Sequence, residues 1–156
     1  MDINSVLNPE PLLKHRFGVF FLAADKTPNP LDIRFQKVSG LSVKLELEKV
    51  KNVAENAYMH VELPKKSNYP NLKLERGYVV QSPLSLEINA AFSLFQFYPS
   101  NVLLTILNDV GLPQSAWLFM QAFPVSWELG GLDANANEVV LESMELKYTH
   151  FQAIQI

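Results

Sequence analysis

The sequence predicts a mainly β single domain, a β-barrel or β-sandwich with one short α-helix. Three observations favour this class. Short apolar or alternating segments recur along the 156 residues, with turn-forming Gly, Pro and Asn residues between them. Only residues 83–97 combine a helix-initiating proline with apolar residues at helical spacing. The chain is 48% hydrophobic and 19% charged, so it carries enough apolar material to form one core.

The first half of the chain predicts an arm followed by five strands. Residues 1–13 are polar and carry two prolines, which indicates an N-terminal arm and leaves residues 14–156 as the folded domain. Aromatic and β-branched residues, or alternation of apolar with polar residues, then mark the strands. The predicted strands are 14–23, 33–39, 41–50, 58–63 and 72–77.

Residues 41–50, LSVKLELEKV, show the clearest periodicity in the sequence. Apolar and polar residues alternate strictly over eight positions, so the strand has one apolar face and one polar face. We expect the apolar face to lie in the protomer core and the polar face on a wet or inter-subunit surface. The apolar face consists of Leu41, Val43, Leu45 and Leu47, and the polar face of Ser42, Lys44, Glu46 and Glu48.

The second half predicts the helix and further strands. Pro83 suits the first turn of a helix over 83–97, which Pro99 ends. Apolar strands follow at 102–109, 116–123 and 125–131, the last two divided by Pro124 because proline lacks an amide donor.

The final segment, residues 137–151, is compatible with two structures. Apolar residues at helical spacing fit a helix. Two alternating runs with a change of phase near Ser143 fit strands joined by a β-bulge. Periodicity alone leaves both open.

The sequence offers no constellation of catalytic or metal-binding residues. There is no cysteine, and His15, His60 and His150 lack the spacing of metal ligands. Glu142 and Glu145 form the nearest approach to a carboxylate pair, and we interpret them as part of a solvated strand face. We therefore expect a protein that is not an enzyme and that uses no metal or cofactor. The acidic start also lacks the pattern of a signal peptide.

Four segments together are typical of one protein family. They are FGVFFL followed by KVSGLSVKLELEKV, then NYPNLKLERG, then VLLTILND, and finally AFPVSWELGGLDANANEVVLESMELKYTHF. In these segments the chain resembles the inner tube proteins of contractile injection machines, which include contractile-phage tail tubes and share a fold with the Hcp tube protein of type VI secretion. The matching positions are Val38, Ser39, Gly40, Leu41, Tyr69, Pro70, Arg76, Gly77, Pro124, Asn137 and Glu138.

The resemblance implies a β-barrel-like protomer whose final segment is a strand. It further implies that six copies form a ring, and that rings stack into a hollow tube inside a sheath. Expected partners are further copies of the chain, the sheath protein, baseplate or hub proteins, tube-terminating proteins, and cargo (an effector protein or DNA) in the lumen. A specialised ring of the same fold, such as a tube initiator, terminator or baseplate adaptor, is the alternative.

The same resemblance implies where the protein works. We expect assembly in the cytoplasm, and a place in a phage tail or in a released or membrane-attached phage-tail-like particle. We expect no direct membrane insertion by this chain.

Residues 51–69, between the predicted strands at 41–50 and 72–77, hold several charged residues and Pro64. In a stacked-ring tube such a hairpin can reach an adjacent protomer, and ring symmetry repeats every weak charge contact. We therefore predict that this hairpin helps hold ring to ring. Its candidate contact residues are Lys51, Glu55, Lys65, Lys66 and Asn68.

Overall fold

The computed structural model describes residues 16–23, 32–51 and 60–155. These residues form nine strands and one α-helix, which confirms the mainly β class. The predicted arm, residues 1–13, lies outside the described residues. The elements are β1 (Phe17–Leu22), β2 (Lys37–Ser39), β3 (Lys44–Lys51), β4 (His60–Asn68), β5 (Leu72–Gly77), α1 (Pro83–Leu94), β6 (Ser100–Leu107), β7 (Pro113–Leu129), β8 (Leu141–Lys147) and β9 (Phe151–Ile154).

Two antiparallel layers share the long strand β7. The first half of β7 pairs with β6 and β9, and β6 pairs with β1. The second half of β7 pairs with β8, which continues through β5 to β2. Strand β7 therefore belongs to both layers and joins them into one folded sheet of seven strands, which we call the barrel. Within the described part of the chain, strands β3 and β4 pair only with each other.

The core lies between these two layers and beneath the helix. Alternation along β5 turns Leu72, Leu74 and Arg76 inward, and all three are buried. Phe119 of β7 is fully buried, and its ring meets that of Tyr148 edge to face, with centroids 4.8 Å apart. Burial of these large apolar side chains is the main source of stability.

Helix α1 begins as predicted and ends three residues early. Ser82 caps its N-terminus by accepting a hydrogen bond from the Ser85 amide at 3.2 Å, and Pro83 follows in the first turn. The helix ends at Leu94 because Phe95 takes a left-handed conformation, with φ of 51°. Its own amide still reaches the carbonyl of Ala91. The residues from 95 to 97 were predicted as helix, and the structure corrects this.

The boundaries of β2 and β4 also differ from the prediction. Residues 33–36 precede β2 and are not strand; Phe35 turns into the core, and the Arg76 guanidinium lies 5.1 Å from its ring centre. Strand β4 continues to Asn68, through Pro64 and the lysines that follow it. An outer strand accepts proline because its unpaired edge needs no amide donor.

Two strands predicted to be separate are continuous in β7. The chain runs as strand from Pro113 to Leu129 and passes through Pro124. The missing amide coincides with an irregular register between Pro124 and Ser126, so the strand bends without ending. Residues 137–140 are not strand, and the break in the last segment falls at 148–150, between β8 and β9, not at Ser143.

A candidate assembly interface

Strands β3 and β4 form a two-stranded ribbon that stands apart from the main sheet. We call it the β3–β4 ribbon. Every residue from 44 to 50 and from 61 to 68 is exposed. With eight and nine residues in its strands, it is roughly 25 Å long at the usual rise of a β-strand. An isolated ribbon of two strands is only marginally stable in water, so a partner surface is expected to support it.

The prediction that the apolar face of residues 41–50 lies in the core of the protomer is wrong. Leu45 is 59% exposed and Leu47 is 51% exposed, and no other described element covers them. Only Leu41, at the base, packs against the core. The physical reason is that β3 has left the barrel by this point and pairs only with β4, so its alternating pattern has no second layer of this chain behind it.

Apolar side chains lie on both faces of the ribbon, in different halves. Near the base, Leu45, Leu47 and the cross-strand neighbour Pro64 share one face, which we call the proximal patch. Nearer the tip, Val50 and Val61 face each other across the strands, and Leu63 lies opposite Glu48 on that same face. We call this group the distal patch; it consists of Val50, Val61 and Leu63. Because side chains alternate along a strand, the distal patch lies on the other face of the ribbon from the proximal patch.

The ribbon carries most of the predicted ring-stacking residues. The register slips between Glu46 and Leu47, which leaves Lys65 as an extra residue on β4. Lys66 forms an exposed ion pair with Glu46 at 3.3 Å. Asn68 is exposed and lies opposite Lys44 at the base.

Two of the predicted contact residues lie at or beyond the limit of the described part of β3. Lys51 is the last residue of β3, but its side chain is not described. Glu55 lies outside the described residues.

The motif Val38–Leu41 forms the base of the ribbon. Val38 pairs with Leu74 across β2 and β5, which fixes the motif to the barrel. Gly40 then adopts φ of 100°, and a Cβ atom placed there would lie 2.2 Å from the carbonyl oxygen of Asn71. Only glycine fits this conformation and this contact. The chain can therefore leave the barrel and return to it at a single point.

Tyr69 anchors the return strand. Its ring meets Tyr148 at 5.9 Å and Phe151 at 5.2 Å, both edge to face. Pro70 follows and is exposed. Since proline restricts the backbone of the residue before it, this pair sets the direction in which β4 enters β5.

A buried polar network holds the helix against the barrel. Arg76 contacts Asp32 at 2.9 Å and Glu142 at 3.4 Å. Its Nη2 also donates to the hydroxyls of Ser82 at 2.7 Å and Ser85 at 3.0 Å. Each acidic group is satisfied in turn by these hydroxyls, at 2.5 Å. The network joins β5, β8, the segment before β2 and the helix N-terminus.

The interpretation of Glu142 as part of a solvated strand face is wrong. Glu142 is fully buried, and it accepts a further hydrogen bond from the Trp127 indole at 3.0 Å. It faces inward because it alternates with Glu145, which lies on the opposite face of β8. Alternation in the sequence could have indicated this burial, because Met144 and Leu146 lie two and four residues after Glu142 on the same face of the strand. Both are buried.

The remaining motif residues lie around the barrel. Gly77 ends β5 opposite Leu141. Pro124 lies opposite Leu146 at the bend in β7. Asn137 and Glu138 are exposed in the connection between β7 and β8, far along the chain from the ribbon. The structure does not bring these residues together with the ribbon lysines into one site.

The outer faces of the two layers differ in charge. Strand registers place six charged residues on the outer face of the β8 layer: Lys37, Lys73, Glu75, Glu128, Glu145 and Lys147. The outer face of the β6 layer carries no charged residue in its described strands, and we call it the uncharged face. It comprises Gly18, Phe20, Leu22, Asn101, Leu103, Thr105, Ala116, Leu118, Met120, Gln152 and Ile154.

The described residues offer little for chemistry. None of them form a group of three or more His, Asp or Glu side chains that could hold a metal ion. A cavity of about 720 Å³ between α1 and the sheet is lined mainly by aliphatic and aromatic side chains. Among its lining residues only Asp32 and Glu87 are acidic, and Asp32 is bound to Arg76. No described helix is long and apolar enough to cross a membrane.

Comparisons with known proteins agree on one family. The family model for the T4-like virus tail tube protein gp19 matches residues 13–152. A chain in the cryo-EM structure of the anti-feeding prophage (AFP) baseplate is 36% identical, with a TM-score of 0.81 over 93% of this chain and 96% of that chain. No curated protein matches the sequence directly.

Two further structures share the fold at lower identity. A chain in the sheath–tube complex of the extracellular contractile injection system PVC, in its extended state, is 20% identical, with a TM-score of 0.79 over 100% of this chain and 99% of that chain. Hcp1 from Flavobacterium johnsoniae is 12% identical, with a TM-score of 0.50 over 88% of this chain and 94% of that chain.

Proposed function

The chain belongs to the family of T4-like virus tail tube proteins, and from this premise we propose that six copies form a ring and that rings stack into the hollow inner tube of a contractile injection machine. The role is structural and not catalytic. The observation that carries the proposal is the β3–β4 ribbon, which projects from the barrel with its apolar side chains uncovered. In a single copy these apolar side chains stay in contact with water. Exposed apolar patches of this kind typically mark protein interfaces.

Open sheet edges support closure into a ring. Among residues 16–23, 32–51 and 60–155, β1 pairs only with β6 and β9 pairs only with β7, so these strands form the two edges of their layer as described. Strand directions alternate across the layer, so β9 of one copy and β1 of the next would run antiparallel. The β1 edge is partly occupied, since the Val19 amide donates to the carbonyl of Ile33 at 3.0 Å. Closure removes the exposed edges that otherwise promote aggregation.

The ribbon lysines support contact between rings. Lys65 and Lys66 are exposed, and the Lys66 ammonium is only weakly engaged by Glu46 at the surface. Single exposed ion pairs contribute about 0–1 kcal/mol, but a symmetric ring repeats each contact in every copy.

A ring at the baseplate end of the tube is the second candidate function. The specific observation is the pattern of identities: 36% to a chain of the AFP baseplate, against 20% to a chain of the PVC sheath–tube complex. A specialised initiator or adaptor ring would form hexamers but would not extend into long tubes unaided. Electron microscopy of the purified protein distinguishes the two, because the main tube protein extends and an adaptor ring does not.

The proposed partners follow from the assembly. They are further copies of this chain, the sheath protein, baseplate or hub proteins and a tube-terminating protein, with an effector protein or DNA as cargo in the lumen. We place assembly in the cytoplasm and the working position in a phage tail or phage-tail-like particle.

The double change Lys65→Glu with Lys66→Glu tests the stacking role. It reverses two charges per copy and so changes the charge of the ribbon by four units. Stacking should therefore weaken while folding and ring closure are kept. Tube length by electron microscopy and ring mass by native mass spectrometry measure the two effects. Raising the salt concentration should shorten wild-type tubes in the same direction, because salt screens exposed charges.

Lys73→Glu with Lys147→Glu is the matched control. It makes the same charge change on the outer face of the β8 layer, and stacking should be unchanged. Tubes of wild-type length from the ribbon variant would remove the ribbon lysines from the ring-to-ring contact. A wild-type protein that stays monomeric at high micromolar concentration would contradict the ring itself.

A further inference from the structure

We propose that the second half of helix α1 is a lid with two positions. The structure holds the open position, in which this half of the helix stands over the cavity between α1 and the sheet. In the closed position the side chains of Leu94 and Phe95 enter that cavity. The lid belongs to a single copy of the chain, so the inference goes beyond the proposed function and does not depend on it.

The first half of helix α1 is held firmly. Its buried residues, Leu84, Ser85 and Ile88, all lie in the first two turns. The Leu84 amide donates to the buried carboxylate of Asp32 at 3.1 Å, and the Ser85 hydroxyl accepts from the Arg76 guanidinium at 3.0 Å. The start of the helix therefore cannot move without breaking the buried polar network.

The second half of the helix is attached more loosely. No residue from 89 to 94 is buried, and Leu94 is 68% exposed. Just beyond the helix, the Phe97 ring lies 5.5 Å from the ring of Phe95 and 6.4 Å from that of Phe123 on β7. Segments with few buried contacts are the ones that move at low cost in free energy. This end of the helix can therefore move while the first half stays in place.

Asn89 lies at the boundary between the two halves. Its side-chain Nδ2 donates to the carbonyl oxygen of Ser85 at 2.7 Å. In an α-helix the same oxygen accepts from the backbone amide four residues later, which is the amide of Asn89 itself. A side chain that bonds to this oxygen competes with the backbone hydrogen bond and favours bending of the helix. We therefore place the hinge at Asn89.

The cavity gives the lid a place to close. From the second half of the helix, Ala90, Ala91 and Leu94 line it, and on the sheet side Val102 and Ala122 do. Its volume of about 720 Å³ leaves room for two large side chains. Moving apolar side chains from water into an apolar cavity is favourable. Closure therefore removes apolar surface from water on the lid and in the cavity together.

The backbone of Phe95 is strained in the open position. Its φ is 51°, and its side chain is 83% exposed. A bulky residue seldom adopts this left-handed conformation, because its Cβ atom crowds the carbonyl oxygen that follows. The open position thus leaves an aromatic ring in water and keeps its backbone in an unfavourable conformation. Closure relieves both, since Phe95 leaves the left-handed region as its ring enters the cavity.

Fluorine NMR tests for the two positions, because the sequence has no cysteine and a single thiol can be introduced. Leu94→Cys is labelled with a trifluoroethyl thiol reagent, whose apolar group takes the place of the leucine side chain. We expect two exchanging resonances from this label. A soluble gadolinium chelate should broaden the resonance of the open position and spare that of the closed position.

Leu86→Cys with the same label is the matched control. Leu86 is 63% exposed, close to the value for Leu94, but it lies in the first half of the same helix. Because that half is held by the buried network, its label should give one resonance, which the gadolinium chelate broadens.

Two further changes in the labelled Leu94→Cys protein test the cause of the protection. Ala122→Leu narrows the cavity from the sheet side and should remove the protected resonance. Phe95→Gly alters an exposed position, so the fold should be kept. Glycine accepts the left-handed conformation without strain and has no ring to bury, so the protected fraction should fall several-fold.

Each outcome supports or overturns the lid. A single, broadened resonance from the Leu94→Cys label overturns it, and so does a protected resonance from the Leu86→Cys label. A protected fraction that Phe95→Gly leaves unchanged also overturns it. If the protected fraction rises with protein concentration, a second copy covers the label and the lid is again overturned. Rings and tubes are scored separately by electron microscopy, and their absence contradicts the proposed function while leaving the lid in place.

Discussion

At the scale of single residues, Tyr148 shows that this core accepts an unsatisfied polar atom. The residue is only 7% exposed, and its hydroxyl is buried without a hydrogen-bond partner among the described residues. The ring itself is well held, edge to face with Phe119 and Tyr69. Burial, with a smaller contribution from nearby Tyr69, raises the pKa of the Tyr148 phenol above its ordinary value of 10.0. The ring stabilises the core, and the hydroxyl costs stability.

We predict that Tyr148→Phe stabilises the protein by about 1 kcal/mol near neutral pH, because it removes an unsatisfied buried group and keeps the ring. The raised pKa also sets a pH dependence. The unfolded tyrosine ionises near pH 10, at a lower pH than the folded one. Ionisation of Tyr148 therefore leaves the free energy of unfolding unchanged well below pH 10 and lowers it as the pH rises further. Urea unfolding at pH 7 and at several values above pH 9.5 measures both effects.

Tyr98→Phe serves as the control for this prediction, since Tyr98 is 81% exposed and undergoes the same chemical change. It should change neither the free energy of unfolding at pH 7 nor the way that free energy falls above pH 10. A Tyr148→Phe protein that is less stable than wild type would show that the hydroxyl has a partner that stabilises it.

Arg76 shows a second feature at this scale, one that the sequence signals only in part. Alternation along β5 places Arg76 on the buried side, with Leu72 and Leu74. Its partners Asp32 and Glu142 lie 44 and 66 residues away in the chain. No periodicity links positions so far apart, so the network could not be predicted. Removing one member would leave a buried charge uncompensated, which typically costs about 3–5 kcal/mol.

At the scale of elements, the sequence identifies strands better than it identifies what covers them. The alternation of residues 41–50 correctly indicates a strand, and the Ser82–Pro83 pair correctly marks the helix start. The same alternation leads to a core face that does not exist in one protomer. A hydrophobic face indicates burial, but the burying surface can belong to another chain. Pro64 and the adjacent lysines suggest a loop for a similar reason, because an exposed ribbon tolerates residues that a buried strand excludes.

The substitution Leu45→Asp is therefore predicted to leave the fold intact, with a change in unfolding free energy within about 0.5 kcal/mol, as for an exposed position. Leu74→Asp, the same change in a fully buried strand position, should unfold the domain, because it buries an unpaired charge. Circular dichroism and urea unfolding of the two variants make the comparison. Equal loss of structure in both would restore Leu45 to the protomer core.

At the scale of the whole molecule, the barrel presents two unlike sides. The outer face of the β8 layer carries six charged residues of both signs and suits contact with water. The uncharged face on the β6 layer is built from Phe, Leu, Met and small residues. Gly18, Thr105 and Ala116 are buried within the protomer, and the exposed part of the face includes Leu22 and Ile154. Exposed apolar patches of this kind mark interaction surfaces. We expect that assembly covers at least part of it.

Ile154→Lys tests this expectation. Ile154 is 38% exposed on the uncharged face, so a lysine there should not disturb the core. Ring formation should weaken by at least several-fold in concentration dependence, measured by native mass spectrometry. Glu145→Lys, which introduces the same residue on the charged side, should assemble like wild type. Equal assembly of the two variants would show that the uncharged face remains open in the ring.

The protomer should resist a force applied along strand β7. It runs 17 residues, from Pro113 to Leu129, and is bonded along its length to β6, β8 and β9. A force applied along this strand loads many backbone hydrogen bonds in shear, so they must break together and cannot open one after another. The β3–β4 ribbon has only one bonded neighbour for each strand and would yield first. If copies assemble as proposed and are loaded along the tube, we expect deformation to concentrate at the joints between copies while each barrel stays rigid.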